Sequence, residues 1–317
     1  MSEKRGALVA IKRALLSEGG RRFFRDGPPQ WPEGQARNPP KGAAEARHAR
    51  ALLAKALRRD RSPEARALAE ELEACRPSRR CLSGACPVCG RALQRMFVHA
   101  TRNLFDHHQR DMVAINIVSA KRAIPYGHLD QHDVFEGIER RLRGALDALG
   151  VPAVGGFDIS ANKHEANAFE PHWMPHAWIL APGRRMRRAR EELGEWFPDT
   201  EIVPRALHME RFDGAAAGFA YALKPDFDRR ISLEPRKLPN GSRSTHSTRK
   251  KPIWGEQRVE LALALDRAGL ESRLFLQGYE LVIADGDVEI VRVGSIRRRR
   301  ELVGDYGRDH GALGPGR

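Results

Sequence analysis

Glu170-Pro-His-Trp-Met-Pro-His-Ala-Trp-Ile-Leu180 is the stretch on which the fold reading turns. Aromatic and apolar residues at this density read as a strand over 173–180. Side chains two or four apart on a strand share a face, so with His172 already extended, His172 and His176 converge on one divalent ion. Pro171 and Pro175 work against that geometry, and the plainer alternative is a pair of packed or surface imidazoles. Upstream, residues 153–160 form a second apolar run, and the polar stretch between the two implies an antiparallel pair joined by a wide hairpin. If residue 158 pairs with 176, Asp158 lies on the face of His176; a slip of one residue sends it to the other face. Glu165, in the connection, is the other carboxylate within reach.

Outward from this pair, Met112-Val-Ala-Ile-Asn-Ile-Val118 alternates and is β-branched, which predicts a strand. Residues 131–149 carry Val134, Ile138, Leu142, Leu146 and Leu149 at close to a 3.6 period and end at Gly150, a helix with its C-cap. A helix over 186–197, a strand over 201–212 and a small-residue helix over 214–224 follow. The order strand, helix, strand, strand, helix, strand, helix predicts an α+β domain with helices packed on a mainly antiparallel sheet, over 111–231.

The flanks read differently. Residues 1–42, Gly- and Pro-rich from Gly19, are expected to be a loose basic arm. Residues 43–110 are helical, with Ser62-Pro63 as an N-cap and first helical residue, and enclose four cysteines. Residues 232–252 are expected to be a basic linker, with Arg236, Lys237, Arg243, Arg249, Lys250 and Lys251 as candidate nucleic-acid contacts. Residues 253–296 suggest a small α+β unit with a hairpin around Asp285-Gly286-Asp287, and 297–317 a disordered tail.

The 317 residues hold 55 Lys and Arg against 41 Asp and Glu, a formal charge of +14 that points to a polyanionic partner. No apolar run approaches the roughly 20 residues needed to cross a bilayer, so no membrane is expected. Nothing near Met1 resembles a secretory h-region, which makes the cytoplasm the expectation.

All four cysteines, Cys75, Cys81, Cys86 and Cys89, fall in one C-x5-C-x4-C-x2-C cluster. Soft ligands at that spacing suit tetrahedral zinc as a structural cofactor better than a disulfide framework; free core cysteines are the alternative. Farther on, Gly218-Phe-Ala-Tyr221-Ala-Leu-Lys224 sets Tyr221 and Lys224 at i and i+3 of one helix face. They read either as a packed tyrosine beside a solvated lysine, or as a phenol that attacks phosphorus with a cation beside it.

Taken in order, these parts resemble the replication initiators of rolling-circle plasmids, within the HUH endonucleases. The resemblance rests on Arg80-Cys81-Leu-Ser-Gly-Ala-Cys86-Pro-Val-Cys89, the strand 112–119, Trp173-Met-Pro-His176-Ala-Trp178 and Tyr221-Ala-Leu-Lys224. It implies an HUH-like domain that nicks single-stranded origin DNA, with Tyr221 as nucleophile, Lys224 assisting, and Mg or Mn held by His176 with help from His172, Asp158 or Glu165. Two departures stand out. The second metal position of the family motif is Trp178, whose indole donates but cannot ligate, and 113–119 lacks the family's threonine-rich pattern. The other readings are a zinc-containing nucleic-acid-binding protein with the same fold and no nuclease activity, and an RNA-binding zinc-knuckle protein.

Overall fold

The computed structural model describes residues 2–25, 42–76, 78–107, 111–233, 247–284 and 287–293. In chain order the helices are α1 (Ser2–Leu16), α2 (Glu18–Arg21), α3 (Ala43–Arg59), α4 (Pro63–Ala74), α5 (Pro87–His107), α6 (Glu136–Ala148), α7 (Gly183–Trp196), α8 (Ala216–Tyr221) and α9 (Gly255–Ala268). The strands are β1 (Met112–Val118), β2 (Ile124–Pro125), β3 (Ala153–His164), β4 (His172–Pro182), β5 (Leu207–Arg211), β6 (Asp228–Leu233), β7 (Ser247–Pro252), β8 (Leu274–Gln277), β9 (Tyr279–Ala284) and β10 (Asp287–Arg292).

The fold is α+β. The main sheet runs β5-β1-β4-β3-β6-β7, with β2 added on β4 and β8 on β3. The expected hairpin is present as the antiparallel pair β3–β4, and its register places Asp158 opposite His176. The sheet is mixed, because β6 joins β3 in parallel before β7 returns antiparallel to it.

Alternation gives this sheet two unlike faces. Ile115, Ile117, Phe157, Ile159, Ala177 and Ile179 bury one face, where Phe157 stacks on Phe135 just ahead of α6. Trp173 belongs to this face: it is fully buried, packs on Tyr126 and donates its indole N–H to Glu260 at 3.0 Å. The opposite face carries Asn116, Asp158, Ser160, His172, His176 and Trp178. Here Gly156 lets the backbone after α8 lie directly on the sheet, since a Cβ would stand 2.5 Å from the Ala222 carbonyl oxygen.

Three expected boundaries are corrected by the packing. Residues 2–25 are not a loose arm: Ile11, Ala14 and Leu15 form an apolar stripe at helical spacing that is buried in the core. The Gly- and Pro-rich composition that suggested an arm is concentrated in 26–41, outside the described residues. The expected 232–252 linker instead includes strand β7 and the end of β6. Its exposed Thr248, Arg249, Lys250 and Lys251 suit an edge strand, where charges face water and blunt the open side. The 253–296 unit is not separate, because β8 pairs with β3 and buries Phe275 in the same core that includes Ile11 and Ile290. Arg236, Lys237, Arg243, Asp285, Gly286 and the tail 297–317 lie outside the described residues.

Candidate functional site

The cysteine cluster is built where α4 ends and α5 begins. Cys75 caps the end of α4, Cys81 lies in the intervening loop, Cys86 precedes α5 and Cys89 is in its first turn, with the Gly90 N–H donating to the Cys86 carbonyl at 2.8 Å. The expected knuckle is therefore the start of a helix, whose N-terminus favours thiolates. The four sulfurs all lie within 4.8 Å of one another. Cys75 Sγ to Cys89 Sγ is 3.9 Å and Cys81 Sγ to Cys89 Sγ is 3.7 Å. A tetrahedral Zn–S bond length near 2.3 Å requires sulfurs about 3.8 Å apart, so the four cysteines can hold a metal ion such as zinc. Four thiols this close cannot all ionise alone: hydrogen bonds from the other three pull Cys75 down, while hydrogen bonds to Cys75 and Cys81 push Cys86 and Cys89 up. Gly84 lets this loop meet the end of α9, since a Cβ there would stand 2.2 Å from the Leu265 carbonyl oxygen.

On the polar face of the sheet, α8 and the residues after it bring a second cluster together. The helix stops at Tyr221, shorter than the expected 214–224, so Lys224 reaches the sheet from the following turn. Lys224 Nζ is 2.8 Å from Asp158 Oδ2 and 3.5 Å from Asp228 Oδ2. Asp158 Oδ2 is also 3.7 Å from His176 Nδ1, and His176 Nε2 shares a 2.9 Å hydrogen bond with Ser160 Oγ. Tyr221 remains 37% exposed, with the Lys224 ammonium 5.8 Å from its ring centroid.

The electrostatics follow from burial and this pairing. Burial alone would raise the Asp158 carboxyl, but Lys224 and His176 outweigh it and hold the group well below the usual carboxylate range. Burial would lower Lys224, but Asp158 and Asp228 overcome it, so the ammonium is held on. His176 is pushed below the ordinary imidazole value, by burial first and by Arg230 and Lys224, against the pull of Asp158. The cluster is thus a carboxylate–ammonium pair beside a neutral imidazole.

Those residues do not fit a divalent Mg or Mn site. Among the described residues the four cysteines are the only group of three or more His, Cys, Asp or Glu ligand atoms within 4.8 Å of one another. Asp158 and His176 supply two donors, and the ammonium of Lys224 stands against the carboxylate where a metal would be. His172 shares the face four residues away, but its Nδ1 bonds the Glu170 carbonyl at 2.7 Å and its buried Nε2 has no partner. Glu165 sits exposed in the β3–β4 connection. Trp178 joins an aromatic group, its ring 5.9 Å from Phe212, which meets Phe219 and Phe105 at 4.7 and 5.3 Å.

Sequence reasoning missed three members of this cluster. Ser160 was within its reach, two residues from Asp158 on the same strand face. Arg230 faces His176 only through the parallel β3–β6 pairing, which no local pattern announces. Arg273, 1% exposed, donates from Nη2 to the Lys224 carbonyl at 2.6 Å and so fixes the turn that carries Lys224; it comes from a segment expected to be a separate unit. Arg249, Lys250 and Lys251 stand exposed on β7. Comparisons with protein-family models, with curated proteins and with solved structures found no match.

Proposed function

We propose that this chain is a DNA-binding protein of the replication-initiator type, acting on single-stranded origin DNA of a plasmid or other mobile element, with zinc held by its four cysteines. One observation carries the reading: α8, which ends at Tyr221, and the turn after it, which carries Lys224, bring these two residues beside the strand pair that bears Asp158 and His176, so parts distant in sequence meet on one face. The charge of +14 and the cationic edge strand β7 supply the sequence-independent grip on phosphates.

The exposure of Tyr221 favours a second reading in which the protein also nicks its strand. The Tyr221 oxygen would attack phosphorus and lose its proton to water; the P–O3′ bond would break with its electron pair going to O3′, which takes up a proton, leaving a 5′-phosphotyrosyl link and a free 3′-OH. Lys224 would ease the developing phosphate charge. Against it stand the absence of a three-donor metal site among the described residues and the commitment of Lys224 to Asp158.

Labelled single strands from the encoding replicon, incubated with the full chain with and without magnesium or manganese, separate these readings. Salt-sensitive binding with no denaturation-resistant adduct is the outcome expected of the binding-only protein. An adduct that disappears in Tyr221→Phe, with folding and affinity retained, establishes nicking. Absence of binding at low salt overturns both.

A further inference from the structure

Beside the β6–β7 edge lies a cavity of about 420 Å³, within the roughly 300–1,000 Å³ of small-ligand pockets. Leu52 and Leu53 of α3, Ala85 of the cysteine loop, Phe227, Ile253 and Leu265 give it apolar walls. Lys250, Lys251 and Arg258 also line it, together with Asp226 and Asp228. Asp228 is occupied by the ammonium groups of Lys224 and Lys250, at 3.5 and 3.8 Å. Immediately after Ile253, Trp254 is 62% exposed, the most exposed large apolar side chain among the described residues. Arg229, which pairs with Lys251 across the β6–β7 ladder, sets its guanidinium 3.9 Å from the Trp254 ring centroid.

An exposed indole braced by an arginine, next to an apolar cleft with lysines on its strand edge, matches one kind of occupant. Bases present flat π-faces and phosphates present charge at a repeat that an extended strand can follow. We infer that this cleft is a single-strand subsite, in which one unpaired base stacks on the Trp254–Arg229 ledge, its neighbour enters the cavity, and the connecting phosphates face Lys250 and Lys251. The inference rests on the reading that the chain binds single-stranded DNA, and it names where and through which contacts. The apolar walls and the exposed Trp254–Arg229 stack distinguish this site from the Tyr221 face, where Lys224 is held by the buried Asp158 carboxylate at 2.8 Å.

The test is fluorescence anisotropy of the full chain with a labelled mixed-sequence 20-nucleotide single strand and with an abasic strand of the same length. Base stacking on an aromatic side chain sets the expected loss for Trp254→Ala at about tenfold in affinity for the normal strand, with little change for the abasic one. Trp254→Phe, which keeps a stacking ring, is expected to stay within about threefold of wild type, so a general folding defect would be recognised. Lys250→Gln with Lys251→Gln is expected to weaken both strands and to flatten the log–log salt slope by about 1.4, at about 0.7 per phosphate. Wild-type binding that Trp254→Ala leaves within twofold overturns the subsite and leaves the proposed function standing. If the wild-type chain binds neither strand at 50 mM salt, the proposed function fails and the subsite with it.

Discussion

Replacing Lys224 with methionine removes one charge from the cluster on the polar face and leaves its shape nearly intact. In the native chain the two side chains are only 16% and 10% exposed at a 2.8 Å separation, so neither charge has much water to fall back on. Losing one partner of such a buried pair costs about 3–5 kcal/mol, against 0–1 kcal/mol for a pair on the surface. With a urea m of about 2–3 kcal/mol/M, Lys224→Met is expected to lower the unfolding midpoint by roughly 1–2 M at pH 7, read from the fluorescence of the five tryptophans. The sign of the pH dependence follows from Asp158. Its depressed native pKa contributes stability that is present above the ordinary carboxyl value and lost as pH falls through the native value. In the variant, burial is no longer outweighed, the carboxyl takes up a proton more readily, and the gap to wild type should narrow towards pH 5. Adding Asp158→Asn should recover most of the loss, because no buried charge is then left alone. A loss below about 1 kcal/mol at pH 7, or a gap that does not change with pH, would refute the internal pairing of this cluster.

Two further expectations concern metal and acid. Purified protein should carry one equivalent of zinc, and Cys86→Ser should lose it together with a folding contribution on the order of 10 kcal/mol; zinc below half an equivalent, by elemental analysis, contradicts the site. His176 has a lowered native pKa, so the unfolded chain takes up its proton first and stability should fall as pH drops below about 6.5. His176→Gln should make the stability profile shallower there by up to about 1.4 kcal/mol per pH unit, and an unchanged profile would show that this imidazole is not buried neutral.

What sequence reading captured depended on how far apart the interacting residues were. The β3–β4 hairpin and the α6 helix rest on periodicity, a local property, and the register that puts Asp158 opposite His176 was stated as a condition because alternation alone leaves it open. The cysteine cluster was readable because its ligands span only fifteen residues. The parallel join of β6 to β3 and the reach of Arg273 to Lys224 depend on long-range packing, which no window of residues displays. The divalent site, carried over from the family resemblance, finds no three-ligand group among the described residues: Lys224 is paired with the Asp158 carboxylate, and Trp178 finds aromatic company.

The burial of α1 has a consequence for how the protein is made. Ile11 and Leu15 are covered in a core where α1 lies against β9 and the turn before β8, and Arg22 with His99 bonds Asp287 of β10. A ribosome adding about 5–20 residues per second needs roughly 10–50 s to pass from the end of this helix to those partners. α1 also packs on α2 and α5, which are made early, but for that interval the part of its native cover supplied by β9 and the turn before β8 is missing, and the nascent chain must be shielded or kept dilute. The yield of folded protein should therefore depend on synthesis rate and chaperone supply as well as on its final stability.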